Sequence, residues 1–328
     1  MTHALLDRNN VNAKPATGLV RPLPPGPLDI VGDIHGEIGA LTALMDRLGY
    51  SREGEHPEDR RLIFLGDFVD RGPDSAGVME KVMALIERGV ALAVLGNHEL
   101  NLFDNEKKAD HNAWYFGSDK PELAHLKIDE ARKAKLEGFM KSLPVAMERE
   151  DLRVVHAAWH GPSIDLIREE SDAVSVLKRY KEQISAEFSA LGIVDKIERE
   201  LALQNRNPIK LLTSGPEKKA DKPFKANGKL REVEREIWWD HYHEEVFVAF
   251  GHYWRDAPAD FQKGPNLFEG YEPHHILGAG QAISIDYSVG ARSHTKLGGT
   301  RLAALRWPER KLMFDDGQTM AIEVRVKK

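Results

Sequence analysis

The sequence predicts an α/β fold with mixed sheets and a mainly helical insertion. Three observations carry that prediction. Apolar runs alternate with helix-spaced segments through the first hundred residues. The spacing suits strand–loop–helix units with right-handed crossovers. The C-terminal apolar runs follow one another without long helices between them, so part of the sheet is expected to be antiparallel.

Residues 1–27 are polar and then proline-rich ("RPLPPGP"), and read as a flexible leader ending in a stiff approach to the first strand. "LDIVG" is that strand, cut off at Gly32. "EIGALTALMDRLGY" then carries Ile38, Leu41, Leu44, Met45 and Leu48 at helical spacing. "RLIFLGD" is the second strand, followed by a helix with Val78, Val82, Leu85 and Ile86 on one face. "ALAVLGNHEL" is a third strand and a turn. Later strands are "LRVVHAAW", "EVFVAFGHYW", "QAISIDYSVG", "RLAALRW" and "MAIEVRV". Residues 160–236 differ in composition, being highly charged and helix-like, and close on a Lys/Gly-rich stretch read as a solvated loop. We expect one domain over 28–328, with 160–236 inserted as a cap-like segment. The aromatics Trp238, Trp239 and Tyr242 read as core.

Lys+Arg number 46 against Asp+Glu 52, so no global field favours nucleic acid or an anionic membrane. No run approaches the ~18 apolar residues of a membrane span, and the first residues lack a signal-peptide core, which leads us to expect a cytoplasmic protein with no membrane partner. The chain has no cysteine, which excludes thiolate nucleophiles and cysteine-held zinc. Any metal must be held by His, Asp, Glu or Asn.

Five apolar runs each end in such residues. Asp33 and His35 follow "LDIVG", Asp67 follows "LIFLG", Asn97 and His98 follow "LAVLG", His156 ends "LRVV", and His252 follows "VFVAFG". C-terminal strand ends in α/β sheets face one crevice, so these groups are expected to converge. The glycines at 32, 66, 96 and 251 are expected to let the backbone turn before each ligand. The set suits two divalent ions (Mn, with Fe or Zn as alternatives): Asp33 and His35 on one, Asn97, His156 and His252 on the other, Asp67 between them. Two such ions carry four positive charges. Two aspartates, a hydroxide and a phosphate dianion carry five negative ones. Arg71 supplies the missing cation with a bidentate grip on phosphate oxygens.

"GDIHG", "GDFVDRG", "GNHE", "VVHA" and "GHYW" together resemble the signature set of the calcineurin-like metallophosphoesterases. The set is most similar to the phosphoprotein phosphatase branch, which includes bacterial protein Ser/Thr phosphatases and diadenosine tetraphosphate hydrolases. The resemblance implies a four-layer αββα sandwich and in-line attack by a metal-bridging hydroxide. It also implies that His98 is the general acid and that Asp70 orients it. A carboxylate behind an imidazole would fix its tautomer.

The chain departs from the eukaryotic-type pattern at Leu95, where an arginine is expected two residues before Asn97, and at Ala157, where glycine is usual. Arg255, Arg292 and Arg206 are candidates for the missing clamp, with Arg255 taken as a substrate contact alongside Arg71 and Asn97. The leading expectation is a phosphomonoesterase acting on a phosphoprotein or a phosphorylated small molecule. "VLGNHEL" favours a dinucleoside polyphosphate hydrolase instead, and a metal-stabilised binding scaffold is the non-catalytic alternative.

Overall fold

The computed structural model describes residues 18–104, 112–120, 123, 126–226, 229–255, 266–294 and 299–325. Leu28–Val31 (β2), Arg61–Phe64 (β3) and Ala91–Ala93 (β4) run parallel to one another. They are joined by Ile38–Leu48 (α1) and Ser75–Glu87 (α2). The predicted face of α1 is buried (Leu41, Leu44, Met45, Leu48), and Gly49 ends the helix at φ 94°. Asp74 caps α2 by accepting from the Gly77 N–H at 2.8 Å. Ala303–Trp307 (β12), Lys311–Phe314 (β13) and Thr319–Ala321 (β14) extend this sheet antiparallel beyond β2, giving the order β14-β13-β12-β2-β3-β4.

A second sheet, β1-β5-β6-β9-β11, stacks on the first. It holds Val20–Pro22 (β1), Ala146–Glu148 (β5), Leu152–Val155 (β6), Phe247–Phe250 (β9) and Ala282–Ser284 (β11). Here β6, β9 and β11 are parallel and β5 is antiparallel to β6. Side chains alternate between two cores, as the two-residue period of a strand requires. Ile30, Ile63, Val154, Ala249 and Ile283 pack between the sheets. Val31, Phe64, Val155, Val248 and Phe250 face outward beneath helices. Both faces of both sheets are therefore covered, and the architecture is a four-layer αββα sandwich with mixed sheets.

Three segments differ from the sequence reading. Val20–Pro22 forms a strand on β5 although it falls in the stretch read as leader, of which residues 1–17 lie outside the described residues. The turn expected after β4 is a helix, Asn97–Phe103 (α3), because Glu99 accepts the Gly96 N–H at 3.0 Å and closes its first turn. The Lys/Gly-rich stretch is an antiparallel hairpin, Glu217–Ala226 (β7) with Lys229–Arg235 (β8).

Between α3 and β5 lie Ala113–Phe116 (α4) and Glu130–Ser142 (α5). The insertion holds Gly161–Ile167 (α6), Ala173–Ala190 (α7), Lys196–Asn205 (α8) and Pro208–Ser214 (α9). It is tied to the site: Leu212 in α9 accepts the backbone N–H groups of Ala157 (3.0 Å) and Ala158 (3.3 Å), the two residues after His156. A two-residue pair, His275–Ile276 (β10) with Glu323–Val324 (β15), completes the strands. No helix among the described residues is long and apolar enough to cross a membrane.

Candidate metal centre

Six loops meet at one edge of the sandwich, each leaving the C-terminal end of a parallel strand. Those after β2, β3 and β4 bring Asp33 with His35, Asp67, and Asn97 with His98. Those after β6, β9 and β11 bring His156, His252 and Asp286. Each sheet thus supplies three of the six loops.

The backbone is bent to make this meeting possible. Among the described residues, eight non-glycine residues have positive φ, and five of them are His35, Asp67, Asp70, Arg71 and His252. Such conformations are disfavoured for side chains with a Cβ and survive only where the surroundings hold them. Here the Asp67 carbonyl accepts from both Ile34 (3.1 Å) and His35 (2.9 Å), while Gly72 N–H donates to the His35 carbonyl (2.8 Å). The glycines serve a different end from the one expected. Only Gly66 of the four has a positive φ, 91°. At Gly96 a Cβ would lie 2.2 Å from Asp67 Oδ1, and at Gly251 it would lie 2.0 Å from Asp33 Oδ1. Those two are glycine because a carboxylate occupies the space.

Tautomers follow from the fixed acceptors. The Val69 carbonyl lies 3.0 Å from His35 Nδ1 and the Leu65 carbonyl 2.7 Å from His156 Nδ1. A carbonyl only accepts, so each Nδ1 carries the proton and each Nε2 turns inward. His35 Nε2 then faces Asp67 Oδ2 at 3.6 Å and Asp33 Oδ2 at 3.9 Å, with no hydrogen-bond partner. His156 Nε2 faces Asp67 Oδ1 at 3.3 Å and Asn97 Oδ1 at 3.2 Å. His252 Nδ1 lies 2.9 Å from the same Asn97 oxygen. His35 Nε2 thus faces carboxylate acceptors in a buried space, which is what a cation requires. Burial opposes a proton on His156, but the charge of Asp67 outweighs it and raises that imidazole, so a cation there would take a proton's place. Ligand atoms of Asp67, His156 and His252 lie within 4.8 Å of one another, as do those of His35, Asp67 and His98.

Burial sharpens the deficit of positive charge. Asp29, at the far end of β2, shows how this fold treats a buried carboxylate that needs no metal: Arg60 and Arg306 each hold it at 3.0 Å. Among the described residues, no arginine within 4 Å of Asp33, Asp67, Asp286 or Glu99 holds it as Arg60 and Arg306 hold Asp29. Burial, then the charges of Asp286 and Asp67, hold Asp33 well above the usual carboxylate range. Asp286 is pushed up to about 6, mainly by burial, and Glu99 to about 8 by burial and the charge of Asp67. Burial alone would raise Asp67 too, but His156 and His98 outweigh it and hold Asp67 well down. Burial keeps His35 and His252 far below the ordinary imidazole value, so both are neutral, the form that ligates. Oxygen and imidazole donors of this mix fit Mn, Fe or Zn.

Beside the cluster stands a second group of residues. His98 Nδ1 lies 2.7 Å from Asp70 Oδ2, and His98 N–H donates to Asp67 Oδ1 at 2.9 Å. Arg71 Nη2 reaches within 3.4 Å of His98 Nε2, and its guanidinium lies 4.6 Å from the ring centroid of Trp254.

The structure therefore brings together Asp33, His35, Asp67, Asn97, His98, His156, His252, Asp70 and Arg71. It does not bring Arg255, which corrects its expected role as a substrate contact. Arg255 is buried, donates to the carbonyls of Glu272 (2.6 Å) and His275 (3.2 Å), and lies over Phe268, where it braces β10 and β11. Arg292 pairs with Asp315 and Arg206 with Glu187, so neither is a clamp. Sequence reasoning missed Glu99, which accepts Asp67, Phe68 and Gly96 N–H groups at 2.9, 2.8 and 3.0 Å and so fixes the Asp67 loop. Its position three residues after Gly96 was the available signal. Asp286 was also missed, although it follows the apolar run "AISI" as the other ligands follow theirs.

Comparison with known proteins agrees with this geometry. A family model described as calcineurin-like phosphoesterase matches residues 26–279. Asymmetrical bis(5'-nucleosyl)-tetraphosphatase PrpE of Bacillus subtilis is 36% identical over 148 residues, 42% of this chain and 59% of that one. The corresponding PrpE of Geobacillus thermodenitrificans is 46% identical over 74 residues, 22% of this chain. The matched regions thus span only 30% to 59% of these relatives' own length. A cold-active protein-tyrosine phosphatase of a psychrophilic Shewanella superposes with TM-score 0.53 at 13% identity, covering 92% of this chain and 83% of that one, a likeness of fold.

Proposed function

The chain belongs to the calcineurin-like phosphoesterase family, and on that premise we propose that it is a two-metal hydrolase of phosphoric esters. The observation that carries this reading is the convergence of buried acceptor atoms from two sheets beside a histidine–aspartate pair. Asp33 and His35 would hold one divalent ion (Mn, or Fe or Zn), Asn97, His156 and His252 the other, with Asp67 on both. Such ions polarise phosphoryl oxygens and make water a nucleophile at neutral pH. The protein's own part is to bind and to protonate. Arg71 grips phosphate oxygens through its fork of donors. Asp70 accepts from His98 Nδ1, so Nε2 is the nitrogen that delivers a proton to the leaving oxygen. Arg71 Nη2 and His98 Nε2, 3.4 Å apart, address the same point in space.

Two substrate classes fit. A phosphomonoester, on a protein or a small molecule, uses every residue named. A dinucleoside polyphosphate is favoured by the PrpE relatives and by Leu95, which leaves the clamp with one arginine fewer. Metal-stripped protein given Mn²⁺ should hydrolyse p-nitrophenyl phosphate, a phosphoserine peptide or diadenosine tetraphosphate when these are offered in parallel. The ratio of kcat/KM values assigns the class. Tight Mn²⁺ binding with no turnover of any of the three would leave a metal-stabilised scaffold and overturn the enzymatic reading.

A further inference from the structure

The metal-holding motifs do not account for Trp114. It lies in the four-residue helix α4, is 6% exposed, and donates Nε1–H to Asp70 Oδ1 at 3.2 Å. The other oxygen of Asp70 lies 2.7 Å from His98 Nδ1, and the Asp70 backbone N–H donates to Ser75 Oγ at 2.9 Å. We propose that Trp114 is a positioning residue for the acid pair: its indole N–H locks the plane of the Asp70 carboxylate so that His98 Nε2 points at the leaving oxygen. This rests on the reading of His98 as the general acid.

The physical argument concerns torsion and charge. The terminal torsion of an aspartate is broad and two-fold, so a carboxylate held through one oxygen swings. Engaging the second oxygen from a rigid, buried ring removes that freedom. Trp114 is itself fixed, since its carbonyl accepts from Ile128 N–H at 2.9 Å. Its neighbour Tyr115 donates to Glu137 and lies 4.2 Å beneath Lys133, both on α5. The acid is thereby aligned by α5, which carries no metal ligand. A neutral N–H serves this purpose better than a guanidinium would. It orients the carboxylate through a single neutral donor, and the buried indole covers that side of Asp70.

The test compares aryl phosphates on the full chain reloaded with Mn²⁺. Phenyl phosphate needs its leaving oxygen protonated, and 2,4-dinitrophenyl phosphate does not. General acid catalysis contributes about 10²–10⁴-fold, so a misaligned acid in Trp114→Phe should lower kcat about tenfold on phenyl phosphate and less than about twofold on the dinitrophenyl ester. KM and bound Mn²⁺ should stay unchanged. Replacing the indole by benzothiophene, which keeps the shape and lacks the N–H, should reproduce the effect and separates it from packing loss. In a His98→Asn background, Trp114→Phe should add nothing on phenyl phosphate. Equal losses on both esters, or no loss on either, would overturn the assignment while His98→Asn still shows its leaving-group dependence. If His98→Asn shows none, the general-acid reading falls and the role of Trp114 falls with it.

Discussion

Gly251→Ala alters no ligand, yet it should cost the centre one metal ion. The new Cβ would sit 2.0 Å from Asp33 Oδ1 and 3.2 Å from its Cγ, where ordinary contact begins at 3.4 Å, so something must move by over an ångström. The strand does not yield easily. Gly251 N–H donates to the His156 carbonyl at 2.8 Å, and Ile285 N–H donates to Phe250, also at 2.8 Å. Asp33 is held more loosely, by the His252 N–H at 3.0 and 3.2 Å and by its contact with Asp286. Asp33 therefore swings away and takes its oxygens off the metal.

Overpacking of this kind costs about 1–3 kcal/mol of stability. Disturbing the shell around a metal ligand costs about 10–100-fold in affinity, and displacing the ligand itself belongs at the upper end. We expect the affinity for one of two Mn²⁺ ions to fall by about 100-fold, read by equilibrium dialysis with elemental analysis. The matched control is Gly39→Ala in α1, where a Cβ meets nothing within 4 Å and metal binding should be untouched. Two Mn²⁺ ions bound to Gly251→Ala with native affinity would refute both the placement of Asp33 and the reason given for the glycine.

Three further outcomes follow from the site. Asp67→Asn should abolish hydrolysis and lower the bound metal, whereas His98→Asn should keep both ions and lose about 10²-fold or more in kcat on poor leaving groups; hydrolysis intact in either variant would end the assignment. Metal binding at pH 7 should release protons, since Glu99 at about 8 is protonated in the metal-free chain and a cation on Asp67 favours its unprotonated form. Affinity should accordingly rise with pH through neutrality; calorimetry in buffers of different ionisation enthalpy reads the sign, and proton uptake would contradict it. Replacing residues 220–232 by an Asn-Gly turn between the cross-strand partners Lys219 and Val233 should change substrate preference and leave metal content alone. Arg235, at the root of that hairpin, lies 5.1 Å over the Tyr253 ring beside His252, so an unchanged substrate panel would remove the hairpin from any role in selection.

The sequence pointed to the residues that converge at the candidate centre because each obeys a local rule, an apolar run followed by a polar residue. It did not reveal why Gly96 and Gly251 are glycine, because the crowding atoms come from Asp67 and Asp33, which are distant in sequence. Arg255 was misread for the opposite reason. It stands near a metal-holding motif, but its guanidinium is taken up by carbonyls of a segment that follows it by about twenty residues. Trp114 gave no signal at all, since a lone tryptophan in a short helix looks like core, which it also is. The hairpin of 217–235 was read as a loop because its lysines hide a register that only pairing fixes.

The division of the cluster between two sheets has a consequence for folding. Ile30, Ile63, Val154 and Ile283 set the spacing of the sheets from within, and that packing is indifferent to what happens at the edge. At the edge Asp33, Asp67, Asp286 and Glu99 are buried together with few cations, so that keeping them all ionised costs free energy until a cation arrives. The divalent ion held by Asp67 and Asn97 from one sheet and by His156 and His252 from the other would act as a staple across the sandwich, while the ion held by Asp33, His35 and Asp67 would tie together loops of the first sheet. At 100-fold over its dissociation constant, each ion adds about 2.7 kcal/mol to the native state. For a chain of this size that amounts to roughly 5 °C in Tm per ion. Thermal melts with and without Mn²⁺ should show the full shift in the native chain, about half of it in Gly251→Ala, and almost none in Asp67→Asn. A full shift in Asp67→Asn would mean that the ions do not bridge the sheets through that carboxylate, and that the two halves of the site bind independently.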